Sequence, residues 1–99
     1  MELHPDVQEL ADLLARIEVL LRTHDATFWA DQIGLCRASV EASDAYGLKR
    51  FLAMFGGMGS LNDLVLQPGG VPLTTENDQL HALLEKAWNL GSALNRELQ

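Results

Sequence analysis

Apolar residues recur every three or four positions near the start of the chain, and this spacing predicts an amphipathic helix over about residues 5–23. The apolar stripe of this helix consists of Val7, Leu10, Leu13, Leu14, Ile17, Leu20 and Leu21. Pro5 suits the first helical position, where the backbone N–H that proline lacks would have no partner within the helix. Glu18 precedes Arg22 by four residues, a spacing at which opposite charges stabilise a helix.

The same periodicity predicts two shorter helices in the middle of the chain. The first is capped by Asp25 or Thr27, and its apolar face comprises Trp29, Ile33, Cys36 and Val40. The second follows a cap at Ser43 or Asp44, and its apolar positions are Tyr46, Leu48, Phe51, Leu52 and Phe55. Gly56 is suited to end this helix, because glycine adopts the left-handed backbone conformation that often follows a last helical turn.

A fourth helix is predicted over about residues 75–97. Thr75 and Asp78 have the spacing of a capping box, with aspartate in place of the usual Glu or Gln. The apolar stripe that follows consists of Leu80, Leu83, Leu84, Ala87, Gly91, Leu94 and Leu98. Ala87 and Gly91 are small and one turn apart, so another helix is expected to approach closely there.

The connection between the third and fourth helices is too long for a plain loop in a compact domain. A short helical turn is predicted near residues 61–66, and the Pro and Gly residues of 67–70 predict a tight turn. Residues 64–66 and 71–73 are suited to form a small hairpin around that turn. The expected fold class is all-α, with four principal helices and a Gly-rich connection before the last one.

The balance of charge narrows the classes of function. The 99 residues include 14 acidic and 7 basic ones, so the formal net charge is −7. This balance does not match proteins that bind nucleic-acid backbones, which need clustered Lys and Arg. The chain starts without the features of a signal peptide and has no run of about 20 apolar residues. We therefore expect one cytoplasmic domain, residues 1–99, that binds neither nucleic acid nor membrane.

The segment between residues 55 and 64 is the most distinctive in the chain. Its candidate functional residues are Gly56, Gly57, Met58, Gly59, Ser60, Asn62 and Asp63. Glycines before a serine can form a backbone nest for an anion, but a phosphate loop also needs a lysine, and no basic residue occurs between Arg50 and Lys86. We expect either a structural role, in which Ser60 and Asp63 bond to loop amides, or contact with a partner.

No other residues indicate catalysis or a bound group. The three histidines lack the spacing of metal ligands, and the single cysteine, Cys36, falls on an apolar helix face and is expected in the core. Trp29 and Trp88 are likewise expected to pack in the core, with a partner-facing position as the alternative. We therefore expect no catalytic residue, no cofactor and no metal ion.

Residues Phe55 to Leu66 resemble the core motif of a family of short, uncharacterised bacterial proteins, a domain of unknown function. That motif is Phe-Gly-Gly-Met-Gly-Ser-x-Asn-Asp-Leu-Val-Leu, and the family also has a tryptophan-bearing helix before it, which Trp29 matches here. The family has no established activity. Its small, acidic, helical members are similar in style to immunity proteins, which neutralise bacterial toxins.

Two classes of function remain open at this point. The first is a non-enzymatic module that binds a protein partner, a basic protein or a toxin, as an immunity-type inhibitor does. The second is a small-molecule-binding or hydrolytic protein with a site around Ser60, Asn62 and Asp63. A self-associating helical module, such as a homodimer, is a further alternative.

Overall fold

The computed structural model describes residues 5–42, 44–55, 64–66 and 73–98, and four helices account for most of them. The helices are α1 (Pro5–Thr23), α2 (Thr27–Glu41), α3 (Ala45–Leu52) and α4 (Thr74–Leu98). None of the described residues lies in a β-strand. The all-α prediction is therefore confirmed, and α1 and α4 begin and end within one residue of their predicted bounds.

The four helices pack as an antiparallel ring. α1 and α3 each pack against both α2 and α4. Arg22 near the end of α1 pairs with Asp31 near the start of α2, and Thr23 lines the same groove as Gln79 near the start of α4. α3 runs back along α2, because Gly47 near its start lies against Val40 and Arg50 near its end donates to Gln32. The direction of the chain therefore reverses between neighbouring helices, as in an up-and-down bundle.

One hydrophobic core is shared by all four helices and by Leu66 from the connection before α4. Its largest fully buried side chains are Leu10, Leu14, Ile17, Leu21, Ile33, Cys36, Phe51 and Leu80. Their positions confirm the apolar stripes predicted for the helices. Among the helices in the described part of the chain, none is both long and apolar enough to cross a membrane.

The connection between α1 and α2 differs from its prediction. Neither Asp25 nor Thr27 caps α2, because the N-cap position is Ala26, which makes no side-chain bond. Asp25 instead has a φ angle of 63°, and the N–H of Ala26 donates to the Leu21 carbonyl oxygen. A short polar side chain tolerates this left-handed conformation, so Asp25 ends α1 rather than starting α2.

α3 starts at one of the two predicted caps, but it ends earlier than predicted. The Asp44 side chain accepts a hydrogen bond from the backbone N–H of Tyr46 at 2.9 Å, as a helix cap does. Tyr46 itself is 64% exposed, so its inclusion in the apolar face is wrong. α3 ends at Leu52, so Phe55 lies beyond the helix. Gly56, the predicted end residue, lies outside the described residues.

The start of α4 also departs from the prediction. The helix begins at Thr74, so Thr75 lies inside it, and the Leu73 carbonyl oxygen accepts the N–H of Asn77. Residues 64–66 are not helical, which makes the predicted turn wrong where it is described. A backbone hydrogen bond of 3.0 Å from Leu73 to Leu66 joins the two arms of the predicted hairpin, although neither described arm is a strand.

An ion-pair network joins α1 to α2 around Glu18, whose side chain is only 14% exposed. One carboxylate oxygen accepts from Arg37 at 3.0 Å, and the other accepts from Arg22 at 2.8 Å. Burial alone would raise the pKa of Glu18, but the bonds from the two arginines outweigh it and hold the pKa below its ordinary value. A Cβ at Gly34 would lie 3.1 Å from this carboxylate, so a larger residue there would require the Glu18 side chain to shift within the network.

Replacing Glu18 with glutamine is expected to lower the free energy of unfolding by about 1 kcal/mol at neutral pH. The lowered pKa means that the stabilisation is present at neutral pH and is lost as pH falls through the pKa of the folded state. Urea unfolding should therefore show a smaller loss of stability on acidification in Glu18→Gln than in the parent. Glu85→Gln, an exposed position on α4, is the control. The same acid sensitivity in both variants would contradict the assigned role.

Candidate functional site

The candidate residues of the Gly-rich motif lie outside the part of the chain that the structure describes. These are Gly56, Gly57, Met58, Gly59, Ser60, Asn62 and Asp63. The two flanks of the motif are described, namely Phe55 on one side and residues 64–66 on the other. Both flanks contact α4, so the geometry of the site is built from that helix.

The first flank is held by aromatic contacts. The ring of Phe55 lies 5.1 Å from that of Phe51, edge to face, and 4.9 Å from that of Trp88 on α4. Trp88 is 38% exposed, so its predicted place in the core is wrong. The indole packs against Phe55 on one side and meets solvent on the other, next to the point where the motif begins.

The second flank is held by a buried side-chain amide, that of Asn77 in the first part of α4. Its Oδ1 accepts the backbone N–H of Leu66 at 2.6 Å, and its Nδ2 donates to the Leu66 carbonyl oxygen at 3.0 Å. That carbonyl oxygen also accepts the N–H of Leu73. Because Asn77 and Leu66 are both buried, these bonds are shielded from competing water and hold this flank against α4.

His81 and Trp88 extend the same face of α4 beyond Asn77. Nε2 of His81 lies 3.4 Å from the carbonyl oxygen of Leu64, one turn along from Asn77. Residues 77, 81 and 88 span eleven positions, about 16 Å of helix, with side chains on one side of it. α4 thus holds the residues before and after the motif at neighbouring places on one surface.

Asn77 is the residue of this site that sequence reasoning missed. The predicted start of α4 depends on Thr75 and Asp78 alone, and the pattern gives no pairing of Asn77 with Leu66, eleven residues away. A signal was nevertheless present, because Asn77 stands three residues before Leu80 and therefore continues the apolar stripe of α4. A polar residue on a buried face needs a hydrogen-bond partner, and here the partner is the chain itself.

A protein-family model described as Domain of unknown function (DUF6966) matches residues 22–74, more than half of the chain. The chain belongs to this family. The DUF6966 match runs from the last residues of α1 to the first residue of α4 and includes the Gly-rich motif with both flanks. Asn77, His81 and Trp88, which hold those flanks, lie beyond it. No curated protein and no solved structure matches the chain.

Metal ligation and nucleophilic chemistry depend on the His, Cys, Asp and Glu side chains of the described residues. No three of the described His, Cys, Asp and Glu side chains are grouped so as to hold a metal ion. Cys36 is fully buried among apolar side chains, and burial raises the pKa of its thiol to about 11. The thiol is therefore protonated near neutral pH, which makes it a poor nucleophile and is in keeping with its expected place in the core.

A shallow groove with a volume of about 480 Å³ lies between α1 and α4. Its lining is mainly aliphatic and comprises Ala15, Arg16, Val19, Leu20, Thr23, Gln79 and Leu83. The groove holds no pair of acid and base groups, because Arg16 is its sole titratable residue. It offers apolar surface for contact rather than a place for chemistry.

Proposed function

We propose that this DUF6966 protein is a non-enzymatic module that binds a basic protein. In its specific form, the proposal is an immunity-type inhibitor that neutralises a toxin in the bacterial cytoplasm. The Gly-rich motif then has either a structural or a partner-facing role. The buried, protonated thiol of Cys36 supports a binding role over nucleophilic catalysis.

The observation that carries the proposal is the way the fold uses its few basic residues. Arg22 forms ion pairs with Glu18 and Asp31. Arg37 forms ion pairs with Glu18 and Glu41, so two of the seven basic side chains are neutralised within the fold. The rest of the chain has eleven acidic residues against five basic ones, so six of the seven excess negative charges lie outside these ion pairs. Such a surface attracts basic proteins and raises the rate at which they associate.

One end of the bundle, where α1 ends and α2 and α4 begin, presents several acidic residues. Asp25, Asp31 and Asp78 are exposed there, and Glu76 is half-buried beside them. Two arginines lie near them: Arg22, which Glu18 and Asp31 engage, and Arg50, which donates to Gln32 next to Asp31. Asp25 and Asp78 are thus the exposed carboxylates that this end of the molecule presents to a partner, in addition to Asp31, which Arg22 engages.

Binding is expected to be steered by charge, so the association rate should fall with salt. Against the purified product of a neighbouring gene, the association rate constant should drop about tenfold or more between low and high salt, with a much smaller change in dissociation. Surface plasmon resonance over a salt series measures both rates. Asp25→Asn and Asp78→Asn should each weaken the salt dependence, whereas Glu97→Gln at the far end of α4 should change it less.

Failure to bind the product of any neighbouring gene would contradict the protein-binding function. So would reproducible turnover of a small molecule that is lost in Asp63→Ala, because that outcome places chemistry at the Gly-rich motif. A complex whose association rate does not respond to salt would contradict the electrostatic part of the proposal.

A further inference from the structure

α2 is apolar on two faces, and only one of them is covered. Its buried face comprises Ala30, Ile33, Cys36 and Val40. On the opposite side, Phe28 is 66% exposed and Leu35 is 54% exposed, with Asp31 between them and Ala38 one turn beyond Leu35. We name Phe28, Asp31, Leu35 and Ala38 the outer stripe of α2.

An apolar outer stripe is not the usual surface of a bundle helix. A helix packed on one side normally has polar residues on the other, as α1 has at Gln8, Asp12 and Arg16. A helix that is apolar on both sides is the pattern of a helix that is covered on both sides. Two large apolar side chains two turns apart on one line therefore point to a contact surface.

We infer that the outer stripe of α2 is the docking surface for an amphipathic, basic helix of the partner. This inference rests on the proposed protein-binding function and names the part of the molecule that performs it. Phe28 and Leu35 are seven residues apart, about 10 Å along the helix axis, which matches the spacing of apolar anchors on a helix laid beside α2.

The charges around the outer stripe favour a partner that is positively charged. Asp31 lies between the two apolar anchors, and its side chain is 58% exposed even though it accepts a hydrogen bond from Arg22. Arg37 is the basic residue of α2, and Glu18 and Glu41 engage its guanidinium group. In this network the three carboxylates of Glu18, Asp31 and Glu41 outnumber the arginines Arg22 and Arg37 by one. Together with the net charge of −7 of the whole chain, this excess attracts a helix with Lys or Arg beside its apolar residues, whereas a second copy of this chain would bring a further charge of −7.

The Phe28 ring already packs against a neighbouring aromatic ring. It lies edge to face against the ring of Trp29 at 5.2 Å, and Trp29 is half-buried against the core. An anchor whose rotamer is already restricted loses less conformational entropy on binding. Exposed aromatic side chains of this kind commonly contribute most to the binding energy of an interface.

The test uses a labelled synthetic peptide of Leu and Lys, long enough to form a helix with one apolar face, and a matched peptide with Glu in place of Lys. Fluorescence anisotropy measures binding to the parent and to the double variant Phe28→Ser, Leu35→Ser. We expect the double variant to bind the Lys peptide about tenfold or more weakly than the parent. The Glu peptide should not bind.

Val19→Ser is the matched control, because Val19 is 64% exposed and apolar but lies on α1, in the groove with α4. It should bind the Lys peptide as the parent does. Thermal unfolding of each variant confirms that these exposed positions leave the fold intact. Equal binding by the double variant, an equal loss in Val19→Ser, or dimerisation of the parent through the outer stripe would each overturn the inference.

The same variants distinguish this inference from the function on which it rests. If a neighbouring gene product binds the parent and the double variant equally well, the protein-binding function is supported, but the partner binds at a surface other than the outer stripe. If the Lys peptide binds through the outer stripe while no neighbouring gene product binds at all, the proposed function fails and the docking surface is supported.

Discussion

Replacing Gly47 with alanine is expected to lower the free energy of unfolding by about 2–3 kcal/mol. A Cβ atom at this position of α3 would overlap the Cβ of Ser39 and would lie 3.0 Å from the Cys36 carbonyl oxygen and 3.2 Å from the Val40 nitrogen. Two of these three atoms belong to the backbone of α2. The clash is therefore relieved only by moving α3 away from α2, which opens the core around Phe51.

In an unconstrained helix, replacing glycine with alanine raises stability by up to about 1 kcal/mol, so the loss of stability expected at Gly47 is the opposite effect. Gly91→Ala is the matched control, since a Cβ there would meet the flexible ends of Leu48 and Leu52, both at 3.3 Å. Those side chains can shift, so this variant should stay within about 1 kcal/mol of the parent. Equal stability of the two variants in urea unfolding would contradict the prediction, because it would show that α3 does not pack against the α2 backbone as closely as the contacts of Gly47 indicate.

Replacing Asn77 with aspartate is expected to lower the free energy of unfolding by about 2–3 kcal/mol at neutral pH. The two side chains have nearly the same shape, so the change removes the amide donor without making a cavity. A carboxylate still accepts from the Leu66 N–H, but its second oxygen then faces the Leu66 carbonyl oxygen, which it repels. The negative charge also loses most of its hydration, because residue 77 is only 9% exposed.

Asn89→Asp is the control for this prediction, because it makes the same chemical change at an exposed position of α4. It should leave stability close to that of the parent. In Asn77→Asp, hydrogen exchange at the Leu66 amide should also accelerate, since the flank of the Gly-rich motif is no longer held on both sides. An unchanged melting temperature with unchanged exchange at Leu66 would show that the flank is held by its apolar contacts alone.

The sequence was sufficient for the features of the fold that depend on local pattern. The stripes of α1 and α4, the cap at Asp44 and the close approach at Gly91 all follow from residues a few positions apart. Periodicity predicts them because one helical face must be apolar wherever it packs, whatever it packs against. The outer stripe of α2 was not among these predictions, because only the structure shows which face of α2 the bundle leaves exposed.

The candidate site was predicted only in part. The Gly-rich motif is distinctive in the sequence. That Asn77 and Trp88 hold its flanks is shown only by their contacts in the folded chain, because no spacing in the sequence indicates it. Tyr46 is a further example of this limit, because the pattern assigned it to an apolar face and the structure shows it exposed. Whether an amphipathic residue such as tyrosine is buried is decided by the neighbouring elements, which local pattern does not specify.

By itself, the sequence determined that this protein is an acidic, helical chain of four apolar stripes with a Gly-rich segment before the last. Only the tertiary structure decided which glycine is required by backbone contact, which asparagine secures a distant peptide group, and which arginines are neutralised within the fold. The division has a physical reason. Helix formation depends on residues three and four apart, whereas close packing, buried hydrogen bonds and ion pairs between helices depend on residues that meet only after the chain has folded.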